Sequence, residues 1–244
     1  EFQRIDHLIV HQYGFEDTKN VSSAVEFLNG LPDKNRQRID MTVTELGTWH
    51  TPGSKQRWGP NDLLRSIYQF RWLGMIQTNG KGTIRTPLFW TTRWLDMLRR
   101  GPYGESFNAL DLYGNVIASG MALKIWNDFV QETLVKVETS GAAKDLYCYA
   151  SMSLSDPAKL AVWIANSHAE ERTVSLELQN FAEGQLRSKY TYSGKGPTDT
   201  HPTLKQNTTL PLPGKQGSFE LTLEPYSIQV LCFGGGRPSL TKNF

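Results

Sequence analysis

The chain has 244 residues, a formal net charge of +2, and an aromatic complement that includes seven Trp and nine Tyr. That length accommodates one large domain or two ordinary ones, with an ample core. No basic run stands behind the charge and no apolar stretch is long enough to span a bilayer, so neither a nucleic-acid partner nor a membrane partner is expected.

No signal peptide is expected at the start. Glu1-Phe2-Gln3-Arg4 runs straight into Leu8-Ile9-Val10, as if the sequence entered a fold midway, and a fragment is expected. Residues 6–13 form the first predicted strand. Ser23-Ala24-Val25-Glu26 matches a capping box, and the helix it opens should stop near Gly30, with Pro32 beyond. Within Asp40 to His50, Met41, Val43 and their neighbours read as a short buried strand that ends in Glu45, followed by a glycine and two large ring side chains. Pro60 suits a first helical position with Asn61 and Asp62 in the first turn, and Leu63, Leu64, Ile67, Phe70 and Leu73 then repeat at helical spacing to the Asn79-Gly80 break. A third strand spans about residues 83–91. Ser119 precedes a helix over Met121 to Val130 with Ala122, Ile125, Trp126 and Phe129 on one face. Strands alternating with helices predict a parallel sheet with crossover helices, although three strands do not close a barrel.

From about residue 133 short alternating runs replace this pattern: 134–137, 146–149, 160–165, 174–178, 189–192, 219–223 and 228–233. Turn clusters such as Ser155-Asp156-Pro157 and Pro213-Gly214 separate them, which is the spacing of an antiparallel sandwich. Gly194-Lys195-Gly196-Pro197 is no phosphate loop, because it lacks a Gly-Lys-Ser/Thr end and precedes no helix. Residues 235–244 read as a tail. The cysteines, Cys148 and Cys232, read as two buried thiols, with one disulfide the lesser alternative. Asn20-Val21-Ser22 and Asn207-Thr208-Thr209 fit the glycosylation sequon, a short pattern that chance also produces.

Three strand ends carry the chemistry: His11 and Tyr13 on the first, Glu45 on the second and Trp90 on the third. C-terminal strand ends of a parallel barrel converge on one face. They would bring together a carboxylate, a phenol able to hydrogen-bond it and an aromatic platform, with Gly47, Trp49 and His50 just past Glu45. Sugars offer apolar C–H faces to aromatic rings, so Trp49, Trp90 and Trp94 are candidate stacking partners. Each also has a plain packing explanation, Glu45 fits a solvated loop residue, and His11 fits a core histidine equally well. His7 and His11, four apart on a strand, stand about 13 Å from each other, too far to share an ion. No metal site and no cofactor are expected, and without a Gly-x-Ser-x-Gly a serine nucleophile is not favoured.

His11-Gln12-Tyr13, Thr44-Glu45-Leu46-Gly47 and Trp90 resemble the last three barrel strands of clan A glycoside hydrolases of the arabinofuranosidase, xylosidase and agarase type. The Ser193–Pro202 run and Pro225–Leu231 look like their C-terminal domain. The resemblance implies an α/β plus all-β chain: residues 1–131 as strands six to eight of a (β/α)8 TIM barrel, and residues 132–234 as a β-sandwich. It implies a retaining hydrolase with Glu45 as nucleophile, Tyr13 orienting it, and Trp90 flooring the subsite. Such a mechanism needs an acid/base carboxyl about 5–5.5 Å from the nucleophile. In this clan it usually follows an asparagine, yet the sequence contains no Asn-Glu pair, so either the acid/base lies in a missing N-terminal barrel half, the expected partner besides a plant or algal polysaccharide or oligosaccharide substrate, or the chain is not catalytic alone. A secreted or periplasmic location is favoured. The alternative is a non-catalytic carbohydrate-binding protein in which the sandwich does the binding.

Overall fold

The computed structural model describes residues 6–13, 18–32, 39–47, 61–80, 84–89, 91–93, 108–141, 144–181, 185–210 and 218–234. The chain divides into two compact units, Glu1–Asn61 with Tyr68–Met121 and Asp62–Ile67 with Ala122–Phe244.

In the first unit β1 (His7–Tyr13), β2 (Asp40–Gly47) and β3 (Ile84–Phe89) form a parallel sheet in that order. Parallel strands need long crossovers, and the helices α1 (Lys19–Asn29) and α2 (Leu63–Asn79) lie in these connections. One face of the sheet carries Val10 and Gln12 beside Met41, Val43 and Leu46, all buried. Val21, Val25 and Leu28 give α1 a buried stripe at helical spacing.

Three helix starts differ from the sequence expectation, and at two of them a distant side chain satisfies a first-turn amide. α1 begins at Lys19, so Ser23 and Glu26 lie inside it rather than capping it. Its N-cap Thr18 makes no side-chain cap bond, and Val21 N–H instead donates to Gln12 Oε1 on β1 at 3.0 Å. α2 begins at Leu63, and Asp62, outside the helix, accepts the Arg65 N–H at 2.9 Å. The third helix, α3 (Ala118–Phe129), starts ahead of Ser119, whose N–H donates to Asn61 Oδ1 at 2.7 Å. Pro60 lies outside the described residues.

The second unit contains a six-stranded sheet ordered β4 (Thr133–Leu134), β5 (Leu146–Met152), β6 (Leu160–Asn166), β11 (Ser227–Phe233), β8 (Leu186–Ser193) and β9 (Thr203–Gln206), antiparallel at every pairing. A two-stranded sheet pairs β10 (Ser218–Leu223) with β7 (Arg172–Glu177). Phe219, Leu221 and Leu223 of β10 share one apolar core with Leu160, Val162, Ile164, Leu231 and Phe233, so the small sheet covers one face of the large one. α3 covers the other: Trp126 stacks on Trp163 with centroids 5.0 Å apart, and Phe129 meets Tyr190 at 4.8 Å. Covered on both sides, β6 and β11 are buried at every residue, which accounts for the unbroken apolar run 160–165 of β6, whereas in β11 Gln229 interrupts the run and donates from Nε2 to Thr222 O at 2.7 Å. Of the run expected as a strand over 134–137 only Leu134 lies in one, the two-residue β4, and β9 was not anticipated because Thr203-Leu204-Lys205-Gln206 has a single apolar residue.

Both cysteines are free. Cys148 lies opposite Ile164 and Cys232 opposite Ala161 on β6. An offset of three residues puts them on opposite faces of the sheet, where no bridge can form. Burial pushes the Cys148 thiol up to about 12 and the Cys232 thiol up to about 11. The glycine-rich run at 194–197 has a structural task in this unit. Pro197 O and Asp199 O accept the amides of Leu64 and Leu63 at 2.9 and 2.8 Å, so the loop caps α2.

Candidate active site

β1 and β2 run side by side in parallel, and their register aligns Val10 with Val43 but His11 with Glu45. The displaced residue is Thr44. β2 slips against β3 as well, between Val43 and Leu46, so the irregularity belongs to β2: a β-bulge at Thr44-Glu45. Strict alternation from Met41 and Val43 would send residue 45 into the face that buries them. The bulge shifts the phase by one, burying Leu46 and turning Glu45 to the opposite face, where His11 and Tyr13 also stand. Among the described residues the buried Thr44 hydroxyl has no hydrogen-bond partner.

Tyr13 Oη donates a hydrogen bond to Glu45 Oε2. His11 Nδ1 lies 3.5 Å from the same oxygen, with the His11 side chain 52% and the Glu45 side chain 28% exposed. Among the described residues nothing donates to Glu45 Oε1. One carboxylate oxygen is therefore held by a phenol and flanked by an imidazole. Partial burial raises the Tyr13 pKa well above its ordinary value, and the hydrogen bond to Glu45 and its charge raise it further. The phenol therefore remains a donor throughout the neutral range. Behind this face Gln12 is buried, accepting from Val21 N–H through Oε1 and donating from Nε2 to Tyr13 O at 3.3 Å. It braces the end of β1, a role that its place in the alternation suggests but that sequence reading did not assign.

His11, Tyr13 and Glu45 are thus brought together. Trp49, His50, Trp90 and Trp94 lie outside the described residues. Among the described residues no group of three or more His, Cys, Asp or Glu side chains could hold a metal ion, and no helix is long and apolar enough to cross a membrane.

No protein-family model matches the sequence, and no curated protein matches it. Solved structures do. An α-L-arabinofuranosidase from Thermotoga maritima in complex with arabinose aligns with a TM-score of 0.68 and 17% identity, over 95% of this chain and 53% of that one. A GH51 α-L-arabinofuranosidase from Thermotoga petrophila aligns at 0.63 and 18% identity, over 93% and 52%. A GH30 endoxylanase from Clostridium papyrosolvens aligns at 0.60 and 15% identity, over 96% and 50%. The chain has the fold of about half of these glycoside hydrolases and spans about half their length.

Proposed function

We propose that this chain is the C-terminal part of a retaining glycoside hydrolase acting on a plant or algal polysaccharide, of arabinofuranosidase, xylanase/xylosidase or agarase type. The observation that carries the reading is the Tyr13–Glu45 hydrogen bond at the C-terminal ends of adjacent parallel strands. Residues 1–131 are read as strands six to eight of a (β/α)8 barrel and residues 132–234 as a β-sandwich.

Glu45 is the nucleophile. Its free oxygen attacks the anomeric carbon as the bond to the leaving oxygen breaks, giving a glycosyl-enzyme that water then hydrolyses. Tyr13 fixes the other carboxylate oxygen, so that the attacking one is presented in a single orientation. His11, Trp49, His50, Trp90 and Trp94 contact the sugar. The carboxyl that protonates the leaving group, and then takes the proton of the attacking water, comes from barrel strands outside these 244 residues. The match to only half of each hydrolase supports that assignment.

The test is reducing-sugar release from xylan, arabinan, β-glucan and agar by the chain extended N-terminally to a whole barrel. Glu45→Gln should abolish release and leave glycan binding nearly intact. Unchanged turnover would overturn the nucleophile assignment.

A further inference from the structure

Beyond β3 the chain returns as a tight hairpin. Thr91 O and Thr92 O accept the amides of Ala109 and Leu110 at 3.0 Å each, Leu110 bridges Val116, and Ile117 N–H returns to Ala109 O at 3.0 Å. The hairpin therefore stands past the C-terminal end of the parallel sheet, the end that carries Tyr13 and Glu45. Its tip is locked by Asp111. Oδ1 accepts the amides of Tyr113 and Asn115 at 2.8 and 2.7 Å, and Oδ2 accepts Asn115 Nδ2 at 2.8 Å. Gly114 supplies the left-handed turn at φ +89°. Arg93 Nη1 ties the tip to the strand end through Leu112 O at 3.2 Å.

This rigid tip holds apolar groups in water. Tyr113 is 87% exposed, Leu112 51% and Val116 46%, three of the seven large exposed hydrophobics among the described residues. Single exposed apolar side chains are ordinary, but a cluster on one braced hairpin marks a binding surface. An aromatic ring whose backbone is already fixed binds with little ordering cost.

We propose that Tyr113 is a sugar-stacking platform for the polysaccharide strand where it runs past the reacting residue, with Leu112 and Val116 extending the apolar floor. The proposal rests on the glycoside-hydrolase reading, because that reading puts a glycan at this end of the sheet. The pyranose or furanose C–H face lies on the Tyr113 ring, and no charge on the sugar is needed. The Asn115 and backbone hydrogen bonds keep the Asp111 carboxyl below its ordinary range, so the tip stays locked in mildly acidic solution.

Affinity electrophoresis of the 244-residue chain through gels holding soluble xylan, arabinan, β-glucan or agarose tests it. The chain should be retarded by one of them. Tyr113→Ala should weaken that binding about tenfold, and Tyr113→Phe should retain it within about twofold, since the ring and not the hydroxyl makes the contact. Tyr113 is too exposed for either change to threaten folding. Retardation of Tyr113→Ala equal to the parent, or no retardation of the parent by any glycan, overturns the proposal. A Tyr113-dependent affinity in a protein that hydrolyses nothing when extended would count against the nucleophile and leave the platform standing.

Discussion

Replacing Tyr13 with Phe isolates the hydrogen bond on which the candidate site is built. The phenol donates to an ionised carboxylate, an interaction worth about 1.5–3 kcal/mol net. Because the Glu45 side chain is 28% exposed, solvent screens the pair, and the lower part of that range applies, about 1.5–2 kcal/mol. A double-mutant cycle with Tyr13→Phe and Glu45→Ala, followed by urea unfolding, should return this as a coupling energy. The folded-state pKa of Tyr13 is raised. The coupling is therefore complete below the ordinary tyrosine value of about 10 and is lost only as pH rises through the folded value, so it should be flat between about pH 7 and pH 9. In the extended protein the same energy, spent on orienting the nucleophile, lowers kcat about 10- to 30-fold with little change in KM. A coupling below about 0.3 kcal/mol, or an unaltered kcat, would refute the reasoning.

Two further predictions concern packing. Thr44→Val removes a buried hydroxyl that has no partner among the described residues, so stability should hold or rise by up to about 1 kcal/mol. Differential scanning calorimetry checks this, and a loss of that size would mean that the hydroxyl is used. Trp126→Ala strips the sheet of the ring stacked 5.0 Å from Trp163 and should cost about 3–5 kcal/mol in chemical denaturation. A cost under about 1 kcal/mol would contradict the assignment of Trp126 to the core of the second unit.

Periodicity made the elements legible because burial acts on it directly. Leu63, Ile67, Phe70 and Leu73, or Ala122, Ile125 and Phe129, were set at helical spacing before any contact was known, and all are buried. The helix starts were less legible. Gln12 and Asn61 take over capping from far along the chain, and a capping box such as Ser23–Glu26 carries no sign that a distant side chain will outcompete it. Glu45 was singled out as a candidate through its company at a strand end, but the bulge that turns it was missed. The apolar positions 41, 43 and 46 do break the period of two, and that break was the available signal. The return of residues 108–117 to the end of β3 rests on backbone hydrogen bonds between segments with no shared motif, so Tyr113 was not singled out from the sequence.

The most direct measurement is covalent trapping. Incubation of the N-terminally extended protein with a 2-deoxy-2-fluoroglycoside bearing an activated aryl leaving group, followed by peptide mass spectrometry, reports which carboxylate bonds to the sugar. Such a leaving group needs no protonation, so formation of the adduct depends on the nucleophile rather than on the acid/base. A single glycosyl adduct on the peptide holding Glu45, absent in Glu45→Gln, is the predicted result. An adduct on another carboxylate would contradict the assignment of Glu45.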